Sequence, residues 1–287
     1  MAEAQRERVL EECLEGFGDP RKTWNWHEGT PDYVSLFSLT HEDVPQLLDL
    51  ARYWAEREDW PDDKEDMTVY APVHAWRALA QLKAVEAVSV LLEMTVALDH
   101  ADDDWYLQEF PIAFGMIGAE AMPVLTDFLK DNRKSLYARI CVAHGLCEIA
   151  QRHEHTRSHI VAILSQQLGQ YDHNEETFNA FLICYLLDLR AVESAEVIER
   201  AFAADRVDTT IGGNWNDIRL ELGVEGLGLV PEGLAGQRIN LFNWEPSRFP
   251  SVPGQIPIRE TNPRQQKKKL RQKRKVQRQN RRKARHR

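Results

Sequence analysis

An all-α fold is predicted from the spacing of apolar residues, from the repetition of that spacing, and from an apolar content of 43%, enough for a substantial core. From residue 3 to about 222, apolar side chains recur at helical spacing in runs joined by short connections. From residue 69 onward a helix–turn–helix pattern returns several times. These features together predict an α-solenoid of stacked helix pairs, followed by a disordered basic C-terminal tail.

Residues 1–66 are expected to form an N-terminal helical region. Val9, Leu10, Cys13, Leu14 and Phe17 share one helical face, as do Val44, Leu47, Leu48, Ala51 and Trp54. Thr40, with Asp43 three residues on, has the form of a capping box that starts the second of these helices. Between them, Gly18 to Pro31 contains Pro20, Gly29 and Pro31 and reads as a Trp-rich loop.

Residues 67–205 contain four units that can be laid over one another at their turns. The turns are Leu82–Glu86, Ile117–Ala121, Ile149–His153 and Leu189–Glu193. Each first helix is rich in Ala and aromatics. Each second helix carries a large apolar pair: Leu91/Leu92, Phe128/Leu129, Leu164/Leu168 and Ile198/Phe202. Neither helix can bury its stripe alone, but stacked units share a continuous core. The segment APVHAWRALAQLKAVEAVSVLLEM, followed by EFPIAFGMIGAEAMPVLTDFL, resembles HEAT repeats. More narrowly, it is similar to the short HEAT-like units of phycobiliprotein lyase subunits and of many bacterial proteins. The resemblance covers about residues 69–205. It implies a right-handed solenoid whose second helices line a concave surface, and it says little about activity.

Residues 206–223 read as a terminal cap, with Gly212 and Gly213 breaking the chain and Trp215, Ile218 and Leu222 placed to cover the last repeat. Residues 224–263 contain five Gly and six Pro and read as an extended linker. Residues 264–287 hold fourteen Lys and Arg and no Asp or Glu. The rest of the chain then has 22 basic and 45 acidic residues, a formal charge of −23. An acidic body with a polycationic tail indicates contact with polyanions, or of the two parts with each other.

The candidate nucleic-acid contacts are Lys267, Lys268, Lys269, Arg271, Lys273, Arg274, Lys275, Arg278, Arg281, Arg282, Lys283 and Arg285. No aromatic residue accompanies them, so base stacking is not expected and contact should be with phosphates. An apolar face for membrane insertion is missing as well. Glu86, Glu93, Glu120, Asp127, Glu193 and Glu196 fall on the non-core side of the second helices, with Glu199 close by. They read either as a groove that docks a basic partner or as a solvated face.

Other clusters have simpler readings. Asp102, Asp103 and Asp104 are placed to cap a helix near Trp105. His153, His155 and His159 could hold a metal by spacing but fit a polar helix start better. His74, Trp76 and Arg77, downstream of Trp24, Trp26 and His27, could line a pocket, with core packing the preferred reading. Cys13, Cys141, Cys147 and Cys184 are widely spaced in apolar contexts and read as buried free thiols. No GxSxG, HExxH, GxxxxGK[ST] or GxGxxG motif occurs, and no cofactor or metal is expected.

The expected function is that of a non-enzymatic scaffold or adaptor. Its solenoid would bind a protein partner, and its tail would bind nucleic acid, RNA before DNA. One alternative is an enzyme subunit resembling the phycobilin lyases. Another is a self-regulated adaptor whose tail occupies the acidic groove. The N-terminus lacks the apolar core of a secretory signal, and no 18-residue apolar run is present, so a cytoplasmic location is expected, or a nuclear one in a eukaryote.

Overall fold

The computed structural model describes residues 14, 16–18, 20, 31–56, 70–100 and 105–224, with 53–56 as backbone. These residues form twelve α-helices and no strand, so the protein is all-α. Two helices come first, α1 (Tyr33–Phe37) and α2 (Val44–Glu56). The Thr40–Asp43 capping box forms as predicted. The Asp43 carboxylate accepts from the Thr40 N–H at 2.8 Å, and a 3₁₀ turn over His41–Asp43 leads into α2.

Four helix pairs follow. They are α3 (Ala71–Gln81) with α4 (Ala87–His100), and α5 (Tyr106–Ile117) with α6 (Met122–Lys130). Next come α7 (Leu136–Arg152) with α8 (Arg157–Leu168), and α9 (Glu176–Asp188) with α10 (Ala195–Ala203). Two short helices end the described residues, α11 (Thr209–Gly212) and α12 (Trp215–Leu222). Asn214 and Asp217 form a second capping box at the start of α12, whose Ile218 and Leu222 are buried.

The first helices pack in chain order: α2 on α3, α3 on α5, α5 on α7, α7 on α9, and α9 on α11 and α12. The second helices cover them, with α6 against α7, α8 against both α7 and α9, and α10 against α8. This order explains the composition. Every residue of α3 from Ala71 to Ala80 is buried, so Ala is favoured where helices must approach closely. The second helices bury one stripe only: Met122, Leu125, Phe128 and Leu129 in α6, and Val197, Ile198 and Ala201 in α10.

Packing is tightest between α5 and α7. A Cβ on Gly145 would lie 2.7 Å from the Phe114 ring, and one on Gly115 would lie 2.8 Å from the Glu148 Cβ. The apolar helices α5 and α6 are bent 109° from one another, and no single helix among the described residues is long and apolar enough to cross a membrane.

The Leu82–Glu86 and Leu189–Glu193 turns share one geometry. Lys83 and Arg190 take left-handed conformations, at φ 54° and 50°. The next N–H reaches back five residues, Ala84 to the Leu79 carbonyl at 3.0 Å and Ala191 to the Leu186 carbonyl at 2.9 Å. Both are Schellman endings, normally given to Gly because a Cβ costs about 1–2 kcal/mol there. Lys83→Gly and Arg190→Gly are therefore each expected to stabilise the fold. The gain should be about 0.5–1 kcal/mol after the greater freedom of glycine in the unfolded chain is subtracted. Denaturant unfolding measures this, and a loss of stability in both variants would contradict the assignment.

The third turn departs from expectation. Ile149 to Arg152 remain helical, and the chain leaves α7 only at His153, whose N–H donates to the Ile149 carbonyl at 2.9 Å. Leu146, Ile149 and Ala150 are all buried, so the core stripe holds the helix for one more turn. The exit then runs through a 3₁₀ turn, Glu154–Thr156.

Candidate partner-binding surfaces

The polybasic residues from Lys267 to Arg285 lie outside the described residues, as do the 224–263 linker beyond Val224, Asp102–Asp104, Trp24, Trp26, His27 and Cys13. The six acidic groove candidates are all exposed, but they do not form an uninterrupted strip. Glu93 lies 3.9 Å from Arg52 of α2, and Glu196 lies 4.0 Å from Arg200 one turn on. Glu193 is held more firmly. Arg157 pairs with it at 2.8 Å while also donating to the carbonyls of Leu189 (2.9 Å) and Arg190 (3.0 Å). This contact, led by the Arg157 hydrogen bond, keeps the Glu193 carboxyl below its usual range. Arg157 thus caps the end of α9 and neutralises Glu193. Glu86, Glu120 and Asp127 have no ion pair among the described residues.

His74, Trp76 and Arg77 are core residues joined in a buried polar chain. His74 Nε2 donates to the Gly18 carbonyl at 2.8 Å, which leaves Nδ1 to accept from the Tyr33 hydroxyl at 2.7 Å. Arg77 forks onto Glu109 of α5, with Nε to Oε2 at 2.9 Å and Nη2 to Oε1 at 2.5 Å. Trp76 Nε1 donates to the same carboxylate at 3.3 Å, and its ring meets Phe110 edge-on at 5.1 Å. Burial alone would lower the Arg77 pKa, but the hydrogen bond and charge of Glu109 hold it above its usual range.

The remaining candidates have structural roles. His153 donates from Nε2 to the Gly115 carbonyl at 3.3 Å, at the last turns of α5. His155 is exposed beside it and His159 is exposed on α8. No group of three or more His, Cys, Asp or Glu among the described residues is placed to hold a metal ion. Cys141, Cys147 and Cys184 are buried free thiols, as predicted. Burial raises all three, Cys184 to about 12, so they remain protonated.

A further group of charges lies on the first helices. Glu148 of α7 pairs with Arg152 at 3.1 Å and lies 3.7 Å from His144, whose ring stacks on Tyr185 of α9 at 5.3 Å. Asp188, the last residue of α9, is within electrostatic reach of Glu221 on α12 and of Glu148. Loss of hydration on its packed side, then repulsion from Glu221 and Glu148, push Asp188 up to about 7. Burial likewise raises Glu221. The sequence reading missed this group because its members come from three helices far apart in the chain. Glu148 and Asp188 do share one local signal: each lies in the last two turns of a first helix.

The sign of the Asp188 effect is fixed. Its folded pKa stands above the ordinary value of 3.8, so the folded state binds the proton more tightly and stability falls as pH rises from about 4 to 7. The outer side of Asp188 is open to water, and screening limits the cost to about 1 kcal/mol. Asp188→Asn is therefore expected to stabilise the fold by about 1 kcal/mol at pH 8, with the gain vanishing below about pH 4. Thermal unfolding across pH measures this. A gain that does not change with pH would contradict the assignment.

No family model matches the chain, and neither a curated protein nor a solved structure does so. The fold defines an all-α protein of consecutive helix pairs, and the HEAT-like resemblance rests on the residues alone.

Proposed function

We propose that the chain is a non-enzymatic adaptor with two binding parts. Its four HEAT-like pairs form an α-solenoid that holds a protein partner, and residues 264–287 contact the phosphates of a nucleic acid, RNA before DNA. One observation carries this reading: the strongest basic run of the chain follows a body of charge −23, which phosphate would avoid. The order of packing, α3 to α5 to α7 to α9, and the shared Schellman turns at Lys83 and Arg190 support the repeat reading. Helix pairs joined in this way present long surfaces made from many units, a form suited to holding extended partners.

The test is affinity purification of the tagged intact chain with and without nuclease. Proteins that stay bound after nuclease would be held by the helical body, and those that leave would be bridged by nucleic acid. Capture of nothing that resists nuclease, together with no recovered RNA or DNA, would refute both parts.

A further inference from the structure

The first helices α5, α7 and α9 are almost wholly buried, and most of their remaining positions follow helical spacing. In α5 the positions include Gln108, Ile112 and Met116; in α7, His144 and Glu148; in α9, Thr177, Phe181 and Asp188. These stripes adjoin one another. Gly115, next to Met116, lies against Glu148 and Arg152, and His144 of α7 stacks on Tyr185 of α9. The result is a half-open face running across the helices, apolar at Ile112, Met116 and Phe181 and acidic at Asp188 and Glu221, with Glu148 already paired to Arg152.

We propose that this face docks an extended basic segment of a partner protein, whose cations meet Asp188 and Glu221 while an apolar side chain lies against Phe181 or Met116. The proposal rests on the adaptor reading and names the chemistry of its protein partner. Charge complementarity selects the occupant. Asp188 and Glu221 repel one another and neither has an ion pair among the described residues, so an arriving guanidinium relieves repulsion as well as adding attraction. Phosphate would add to that repulsion, which disfavours a nucleic acid at this face.

The spacing specifies the segment further. Neighbouring packed helices lie about 8–10 Å apart. A polyproline II chain rises about 3.1 Å per residue and repeats every three, so every third side chain points the same way at about 9 Å intervals. Carboxylates carried on the neighbouring helices α9 and α12, Asp188 and Glu221, would be met by a segment with Arg or Lys at every third position. Met116 and Phe181 supply adaptable apolar contact between the charges.

The test uses the intact chain, treated with nuclease, and a fluorescein-labelled peptide of four Arg-Pro-Leu repeats, read by fluorescence anisotropy. Asp188→Asn/Glu221→Gln is expected to weaken binding about 5–25-fold, from two contacts worth about five-fold each. Glu86→Gln/Asp127→Gln, which alters the turn before α4 and the helix α6 instead, should change it less than about two-fold. A peptide of the same composition with its four Arg grouped together should bind more weakly. An unchanged helical circular dichroism spectrum and unfolding midpoint no lower than wild type show that the double variant is folded.

Equal affinity in the Asp188/Glu221 variant, equal loss in the Glu86/Asp127 variant, or equal binding of a Glu-Pro-Leu peptide would overturn the proposal. So would a concentration-dependent dimer that the peptide dissociates, which would assign the face to a second copy of the chain. Displacement of the peptide by RNA at this face would overturn it as well. Failure of these measurements while nuclease-resistant capture persists removes this face and leaves the adaptor reading intact.

Discussion

Replacing Glu109 by Ala is expected to destabilise the protein by about 3–5 kcal/mol, the cost of leaving one member of a buried ion pair without the other. Arg77 and Glu109 are 0% and 2% exposed, and the guanidinium forks onto both carboxylate oxygens. Removing the carboxylate takes away the negative charge that compensates Arg77 and the acceptor of the Trp76 Nε1–H. The phenol of Tyr33 cannot replace that charge, because burial pushes its pKa further up. Arg77→Met with Glu109→Leu should recover much of the loss, since a well-packed apolar pair of similar volume avoids the desolvation of both ions. Denaturant unfolding at constant slope gives both values. A loss below about 1 kcal/mol for Glu109→Ala would mean that water reaches the pair.

Binding of nucleic acid by the intact chain is expected to weaken about 10³–10⁵-fold between roughly 50 and 200 mM salt, for about 6–10 phosphates contacted. The fourteen Lys and Arg of residues 264–287 exceed that number, and the body at −23 opposes the approach of phosphate. Each neutralised phosphate releases condensed counterion, so the slope of log affinity against log salt counts the contacts. Preference among sequences should be slight, because Lys and Arg without aromatic neighbours touch the backbone and not base edges. A slope near zero would place the binding energy elsewhere.

Periodicity made the helices readable because each second helix buries one stripe, and a stripe appears in a linear sequence as spacing. Val44, Leu47 and Ala51 mark the buried face of α2, and Thr40 with Asp43 marks its start. The turns at Lys83 and Arg190 were visible as a repeated Leu-[Lys/Arg]-Ala-Val-Glu string, although their left-handed backbone was not, since neither residue is Gly or Asn. The end of α7 was misplaced by one turn because Ile149 and Ala150 resemble the ends of other first helices but remain in the core.

The candidate sites were less readable, for a different reason. Exposed acids on one helix are easy to find, but their partners are set by packing between helices. Arg157 reaches Glu193 from 36 residues away, and Arg77 meets Glu109 from 32. Asp188 gains its unusual proton affinity first from lost hydration and then from repulsion by Glu221 and Glu148, neither of them near it in the chain. No spacing rule within a single helix encodes such contacts.

On the adaptor reading, residues 264–287 supply the affinity for nucleic acid. The most direct measurement compares the intact chain with one ending at Pro263, each titrated against mixed RNA and DNA fragments at about 50 mM salt, where contacts of this type are strong. The intact chain should bind and the shortened chain should not, while Trp76→Ala in a still-folded intact chain should leave binding unchanged. Undiminished binding by the shortened chain, or no binding by the intact one, would contradict the claim.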